Sequence, residues 1–263
     1  MCNNKLSKMT KIKFPTEVID LPSNGKLYPE TNPLSKGTVE LKYMTAREED
    51  ILASQNLIRK GVALDRLFES VVVQDDINVD DIFLGDKNAI LLATRVLGYG
   101  PNYNIEVNDP FSGELQKVNI DLGSIQIKEV DFSKLNTENR YDFTLPNSKI
   151  KIVFKLLTHK DEKNINAEVK ALQRLNKSKD GVSHDISTRL RYMIIDVNGN
   201  TDKGFINNWV QNQLLARDSK ALRSYVKSIS PDVDFTFNFE SELTGESEVI
   251  DIPFGVGFFY PTD

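Results

Sequence analysis

The amino-acid sequence predicts an α+β fold, built as two tandem copies of a helix-plus-antiparallel-β-hairpin unit. Three observations carry this reading. Residues 39–49 line up with residues 152–162, each run strand-like and ending in a threonine with a basic residue and two acids close behind. Asp86, Ala89, Gly113, Glu114 and Ile120 recur 132 positions later, without a gap, as Asp218, Ala221, Gly245, Glu246 and Ile252. Around these anchors the apolar positions agree as well, Ile105 with Phe237 and Val107 with Phe239. Agreement in identity, character and period at a constant offset is the mark of an internal duplication.

The first pair of runs lies 113 positions apart and the second 132, so the second copy is the longer. Its additional residues fall in the helical stretch between Lys160 and Arg217. The expected division is a polar leader at 1–13, a first α+β repeat at 14–132, a linker at 133–140 and a second repeat with an extended helical region at 141–263. The linker is placed where Ser133-Lys134-Leu135-Asn136-Thr137-Glu138-Asn139-Arg140 is mostly polar and breaks the periodicity.

Each copy opens on a proline turn, Leu21-Pro22-Ser23-Asn24-Gly25 and Leu145-Pro146-Asn147-Ser148. In the strand that follows, Val39, Leu41 and Tyr43 alternate with Glu40 and Lys42, the period of two of a half-buried strand. Its counterpart runs from Ile150 to Leu156. Thr45-Ala46-Arg47-Glu48 then reads as a capping box, with Asp161 making a weaker one after Thr158. A helix presenting Ile51, Leu52, Leu57 and Ile58 is expected to stop at Gly61, and Ile165, Val169, Leu172 and Leu175 give the equivalent face in the second copy. Further on, Asp86 and Asp218 are expected as helix caps. Those helices end before Gly98-Tyr99-Gly100-Pro101 and Ser230-Pro231. Each copy closes with alternating runs about Ser112-Gly113 or Thr244-Gly245, the pattern of a β-hairpin.

Composition suits a globular chain with a core: 40% of residues are hydrophobic and the net charge is −5. No basic stripe interleaved with aromatics is present, which argues against nucleic acid as the main partner. The cluster Lys5, Lys8, Lys11 and Lys13 reads as a solubilising tail. No apolar run reaches the length of a signal sequence or a membrane span. Cys2 is the only cysteine, so no intramolecular disulfide forms, a thiolate-rich zinc site is excluded, and a reducing cytoplasm is the simplest compartment.

No catalytic or cofactor motif stands out. Gly98-Tyr99-Gly100 follows a helix and precedes a strand, the reverse of a dinucleotide loop. Asp196-Val197-Asn198-Gly199-Asn200-Thr201-Asp202 has alternating oxygens, but its glycine is fourth rather than sixth and Asn207 stands where a calcium loop needs glutamate, so a polar turn is expected. Asp75, Asp76, Asp80 and Asp81 read as decoration of a loop and a helix start. His159 and His184 lack a partner at metal-ligand spacing. Two apolar features are candidates for partner binding: Trp209 with Phe205 on one helical face, and the terminal run with Phe254, Phe258, Phe259 and Tyr260. Each is either core or a surface covered by another protein.

The run Leu21-Pro22-Ser23-Asn24-Gly25-Lys26-Leu27-Tyr28-Pro29, the run from Leu41 through Thr45 to Leu52, and Leu84-Gly85-Asp86-Lys87-Asn88-Ala89 resemble the baseplate hub assembly proteins of T-even-type contractile-tailed bacteriophages. Phe258-Phe259-Tyr260-Pro261 is similar to that family's closing aromatic-proline motif. Many relatives carry cysteine pairs at the two hairpin turns, in the manner of a zinc ribbon. Here those turns read Asp109-Pro110-Phe111-Ser112-Gly113 and Ser241-Glu242-Leu243-Thr244-Gly245, so metal binding is not carried over and no cofactor is expected. The resemblance implies a non-enzymatic protein that helps build the central hub of the baseplate by binding other phage tail proteins. It would act as an assembly chaperone in the host cytoplasm or as a permanent adaptor subunit in the virion tail, and oligomerisation is left open.

Overall fold

The computed structural model describes residues 15–74, 76–176 and 184–259. Among them the chain is mixed α+β, with eight helices and nine strands in four small antiparallel sheets. The first half runs β1 (Thr16–Asp20), β2 (Thr38–Lys42), α1 (Ala46–Ala53), α2 (Gln55–Lys60), α3 (Ala63–Val71), α4 (Leu84–Tyr99), β3 (Asn102–Asn108) and β4 (Leu115–Asp121). The second runs β5 (Tyr141–Thr144), β6 (Lys151–Phe154), α5 (His159–Asn176), α6 (Asp185–Met193), β7 (Ile194–Val197), α7 (Lys203–Asn212), α8 (Ala216–Ile229), β8 (Thr236–Glu240) and β9 (Ser247–Asp251). A 3-10 turn at Val256–Phe259 follows.

Local chemistry sets these boundaries. At the start of α1 the buried Glu48 carboxylate accepts from the amide and hydroxyl of Thr45, from the hydroxyl of Ser70 and from the ammonium of Lys42 at 2.8 Å. Burial pushes this carboxyl up, but the hydrogen bonds from Lys42, Ser70 and Thr45 outweigh burial and hold it at about 2. The second half repeats the arrangement: Asp161 takes the Thr158 amide and the Lys155 ammonium, while the Thr158 hydroxyl accepts from the Asp161 amide. The single helix expected up to Gly61 is instead two, because Ser54 adopts extended backbone and its hydroxyl caps the amide of Leu57. Gly61, at φ 63°, then terminates α2 as expected.

Asp86 and Asp218 do not cap their own helices. Phe83 and Leu215 hold the cap positions, and the two aspartates lie inside the first turns of α4 and α8, fully buried. Each reaches across to the proline turn of its own half. Asp86 accepts from the Ser23 amide and the Tyr28 hydroxyl, and Asp218 from the amides of Asn147 and Ser148. A carboxylate taking backbone donors replaces the water that the turn loses on burial.

The two closing hairpins share one register. Asn104 faces Asn119 in the β3–β4 hairpin and Thr236 faces Asp251 in β8–β9, both positions shifted by 132. Gly113 and Gly245 turn these hairpins at φ 76° and 73°, a region that favours glycine. The halves differ in the middle. Strand β7 extends the second sheet to three strands, whereas Leu41 meets Val72 in the first half through an isolated bridge only. Helix α7 follows β7 within the stretch expected to be extended. Strands β1, β5 and β7 were not anticipated from the sequence.

One hydrophobic core runs through both halves, joining Leu41, Phe68 and Ile90 to Phe154, Ile165 and Leu222. Backbone seals the junction: the Leu84 amide donates to Leu157, and the His159 amide to Ile82. The stretch 133–140 is tied down at Asn139, whose amide side chain exchanges hydrogen bonds with Leu156 in both directions. No helix among the described residues is long and apolar enough to cross a membrane.

Candidate functional site

The side chains singled out for partner binding divide sharply by burial. Trp209 on α7 is 3% exposed and packs inward with Ile206 and Val210, while Phe205 on the same helix is 38% exposed. Phe258 and Phe259 are buried, Phe254 is half-buried against the core, and Tyr260 lies outside the described residues. In this fold Trp209, Phe258 and Phe259 therefore hold the chain together rather than present a surface. Phe258 stands edge-on to Tyr103 of the first half and to Phe235 of the second, so the terminal run bridges both.

Beneath it lies a buried charge that sequence reasoning did not single out. Arg95 of α4 is 1% exposed and its guanidinium donates to three backbone carbonyls, those of Phe258, Gly100 and Asn102. The rings of Tyr99 and Tyr103 flank it at 5.3 and 5.9 Å. Desolvation lowers its pKa, and the carbonyls supply hydrogen bonds that water would otherwise make.

A second cluster joins the halves. Lys87 donates to Asp65 at 3.0 Å and to Glu162 at 2.7 Å. His159 is fully buried, edge-on to Phe68, with its Nδ1 3.8 Å from Asp65 and neither ring nitrogen hydrogen-bonded. Asp65, His159 and Glu162 are close enough together to bind a metal ion, but the Lys87 ammonium already sits on both carboxylates and meets their charge. Burial lowers the His159 pKa, and the neighbouring Lys87 charge lowers it further. A histidine kept neutral in the fold binds a proton in the unfolded chain first, so stability falls as pH drops below about 6.5, by up to about 1.4 kcal/mol per pH unit. His159→Phe is expected to leave stability at pH 7.5 intact and to flatten this slope between pH 6.5 and 5. Urea denaturation across that range checks it.

The third feature is the meeting of the hairpin tips. Asp109 and Ser241 occupy equivalent positions 132 residues apart, and the Ser241 hydroxyl donates to Asp109 at 2.6 Å. The Ser112 hydroxyl and the Phe111 amide donate to the same carboxylate. Burial pushes the Asp109 carboxyl up, but donors led by Ser112 and Ser241 hold it at about 2. Gln116 completes the join, donating to the Glu240 carbonyl and accepting from the Glu242 amide. At the third position of each turn, Phe111 and Leu243 point to solvent at 37% and 65% exposure, with Leu115 beside them at 68%. The sequence showed the two turns but not that they touch.

The remaining polar motifs serve local structure. Asp196 accepts from the Gly199 amide and Asp202 caps α7 through the Phe205 amide, a polar turn as expected. Asp80 pairs with Lys163 in a 3-10 turn, and Asp75 lies outside the described residues. A cleft of about 590 Å³ opens where the halves meet, lined by Leu27, Phe83, Leu156, Met193 and Val226 together with Arg189 and Asp232.

No curated protein and no solved structure matches the chain significantly. A family of proteins does match, described as T4 bacteriophage base plate protein, and the match runs over residues 13–259. It takes in both halves, the proline turns, the helix starts at Thr45 and Thr158, both hairpins and the terminal Phe258 and Phe259. The chain belongs to the T4 bacteriophage base plate protein family.

Proposed function

We propose that this protein helps build the central hub of the phage baseplate as an assembly chaperone, working by binding other tail proteins and not by turning over a substrate. The observation that carries the reading is the family match across nearly the whole chain. The internal chemistry supports it. Where charged side chains gather in the interior, as at Glu48, Lys87 and Arg95, their bonds run to turns, helix starts and the junction of the halves. We read the chain as two copies of one α+β unit fused through a shared core, with residues 133–140 as the connecting stretch and with no metal or cofactor required.

The alternative within the same family is a permanent adaptor subunit of the baseplate. Quantitative protein analysis of purified virions and of isolated hub intermediates separates the two. A chaperone is expected in the intermediates and missing from finished particles. Persistence in virions at a fixed copy number overturns the chaperone and leaves the adaptor.

A further inference from the structure

We propose that the joined hairpin tips form a docking point for a lysine- and arginine-rich surface of another baseplate protein, with Phe111, Leu115 and Leu243 as its apolar anchors; this rests on the binding role given above. Charge is the first argument. Strands β3 and β4 with their turn, and β8 and β9 with theirs, contain nine carboxylates against the single basic residue Lys117, in a chain whose whole net charge is −5. Six of those groups are exposed glutamates, Glu106, Glu114, Glu240, Glu242, Glu246 and Glu248. Lys117 itself is exposed and reaches only Glu106, at 3.9 Å. A surface with so little compensating charge repels phosphate and anionic lipid and attracts cationic protein.

The second argument is the placement of apolar side chains inside this acidic field. Phe111 and Leu243 are equivalent residues, 132 positions apart, and both stand exposed where a surface of this charge would otherwise carry polar residues. The bonds from Ser241 to Asp109 and between Gln116 and the opposite hairpin fix the two tips relative to each other. Turns held in place before binding need not be ordered on association, which leaves more of the anchors' burial as affinity.

The test uses the purified full chain against a panel of purified baseplate proteins from the same phage, by biolayer interferometry at about 50 and 300 mM salt. One panel member is expected to bind, with Kd rising roughly 10-fold or more at the higher salt. Phe111→Ser with Leu243→Ser should weaken binding by about 10-fold or more, as loss of central anchors does, with the melting temperature unchanged. Glu242→Lys with Glu246→Lys, at exposed positions, should weaken it as well. If the partner binds both variants as it binds the native chain, the docking point is elsewhere while the functional reading stands. If no panel member binds the native chain, the functional reading falls with it. If sedimentation instead shows self-association that the variants abolish, a second copy is the occupant and the proposal is overturned.

Discussion

Replacing Phe258 by alanine is expected to destabilise the protein by about 3–5 kcal/mol, the cost of emptying a buried aromatic site. The phenyl ring is 1% exposed and meets Tyr103, Phe235, Phe254 and Phe259, four rings drawn from both halves. None of these neighbours can close the gap without leaving its own contacts. The midpoint of thermal unfolding should fall by roughly 10 °C or more. Phe205→Ala, at the exposed face of α7, serves as the control and should stay within about 0.5 kcal/mol. A Phe258→Ala protein as stable as the native chain would show that the terminal run is dispensable to the core.

Gly85→Ala is expected to cost about 3 kcal/mol or more, through overpacking. Gly85 lies in the first turn of α4, where helical backbone would suit alanine. An added methyl would stand 1.8 Å from the Pro231 carbonyl oxygen and 3.0 Å from the Asp232 Cα, both backbone and both in the other half. Relief requires α4 and the Pro231 turn to separate, which also strains the bond from Asn88 to Asp232. Urea titration should show a lowered midpoint, and an unchanged midpoint would mean that the halves can slide apart at little cost. Alanine at Gly204, whose nearest neighbour is a flexible aspartate oxygen at 3.2 Å, should be far milder.

Legibility followed the range of the interactions. The hairpins could be read because alternation and a glycine turn are local, and the helix starts at Thr45 and Thr158 because a threonine and an acid three residues on form a local pattern. Strand β7 escaped notice because it follows α6 without a break residue, its pairing with β6 being fixed by chain some 40 residues away. The break at Ser54 was hidden for the opposite reason, since the apolar spacing continues across it and only the backbone turns. Asp86 and Asp218 were recognised as equivalent, yet their use as receivers for a distant proline turn is a tertiary fact. The same holds for the candidate partner residues: the sequence marks Trp209 and Phe258 as large apolar groups, and only packing decides whether a chain or a partner covers them.

The hydrogen bond from Arg95 to the carbonyl of Phe258 spans 163 positions. It therefore sets a clock on biogenesis. A nascent chain that has delivered only the first half holds Arg95 through Gly100 and Asn102 but lacks the Phe258 carbonyl and the ring that packs on Tyr103, until residue 258 leaves the ribosome. Closing a loop of that length is slow compared with forming helices or either hairpin. The terminal run is thus expected to be the last part of the shared core to dock, completing contacts that the first half cannot make alone.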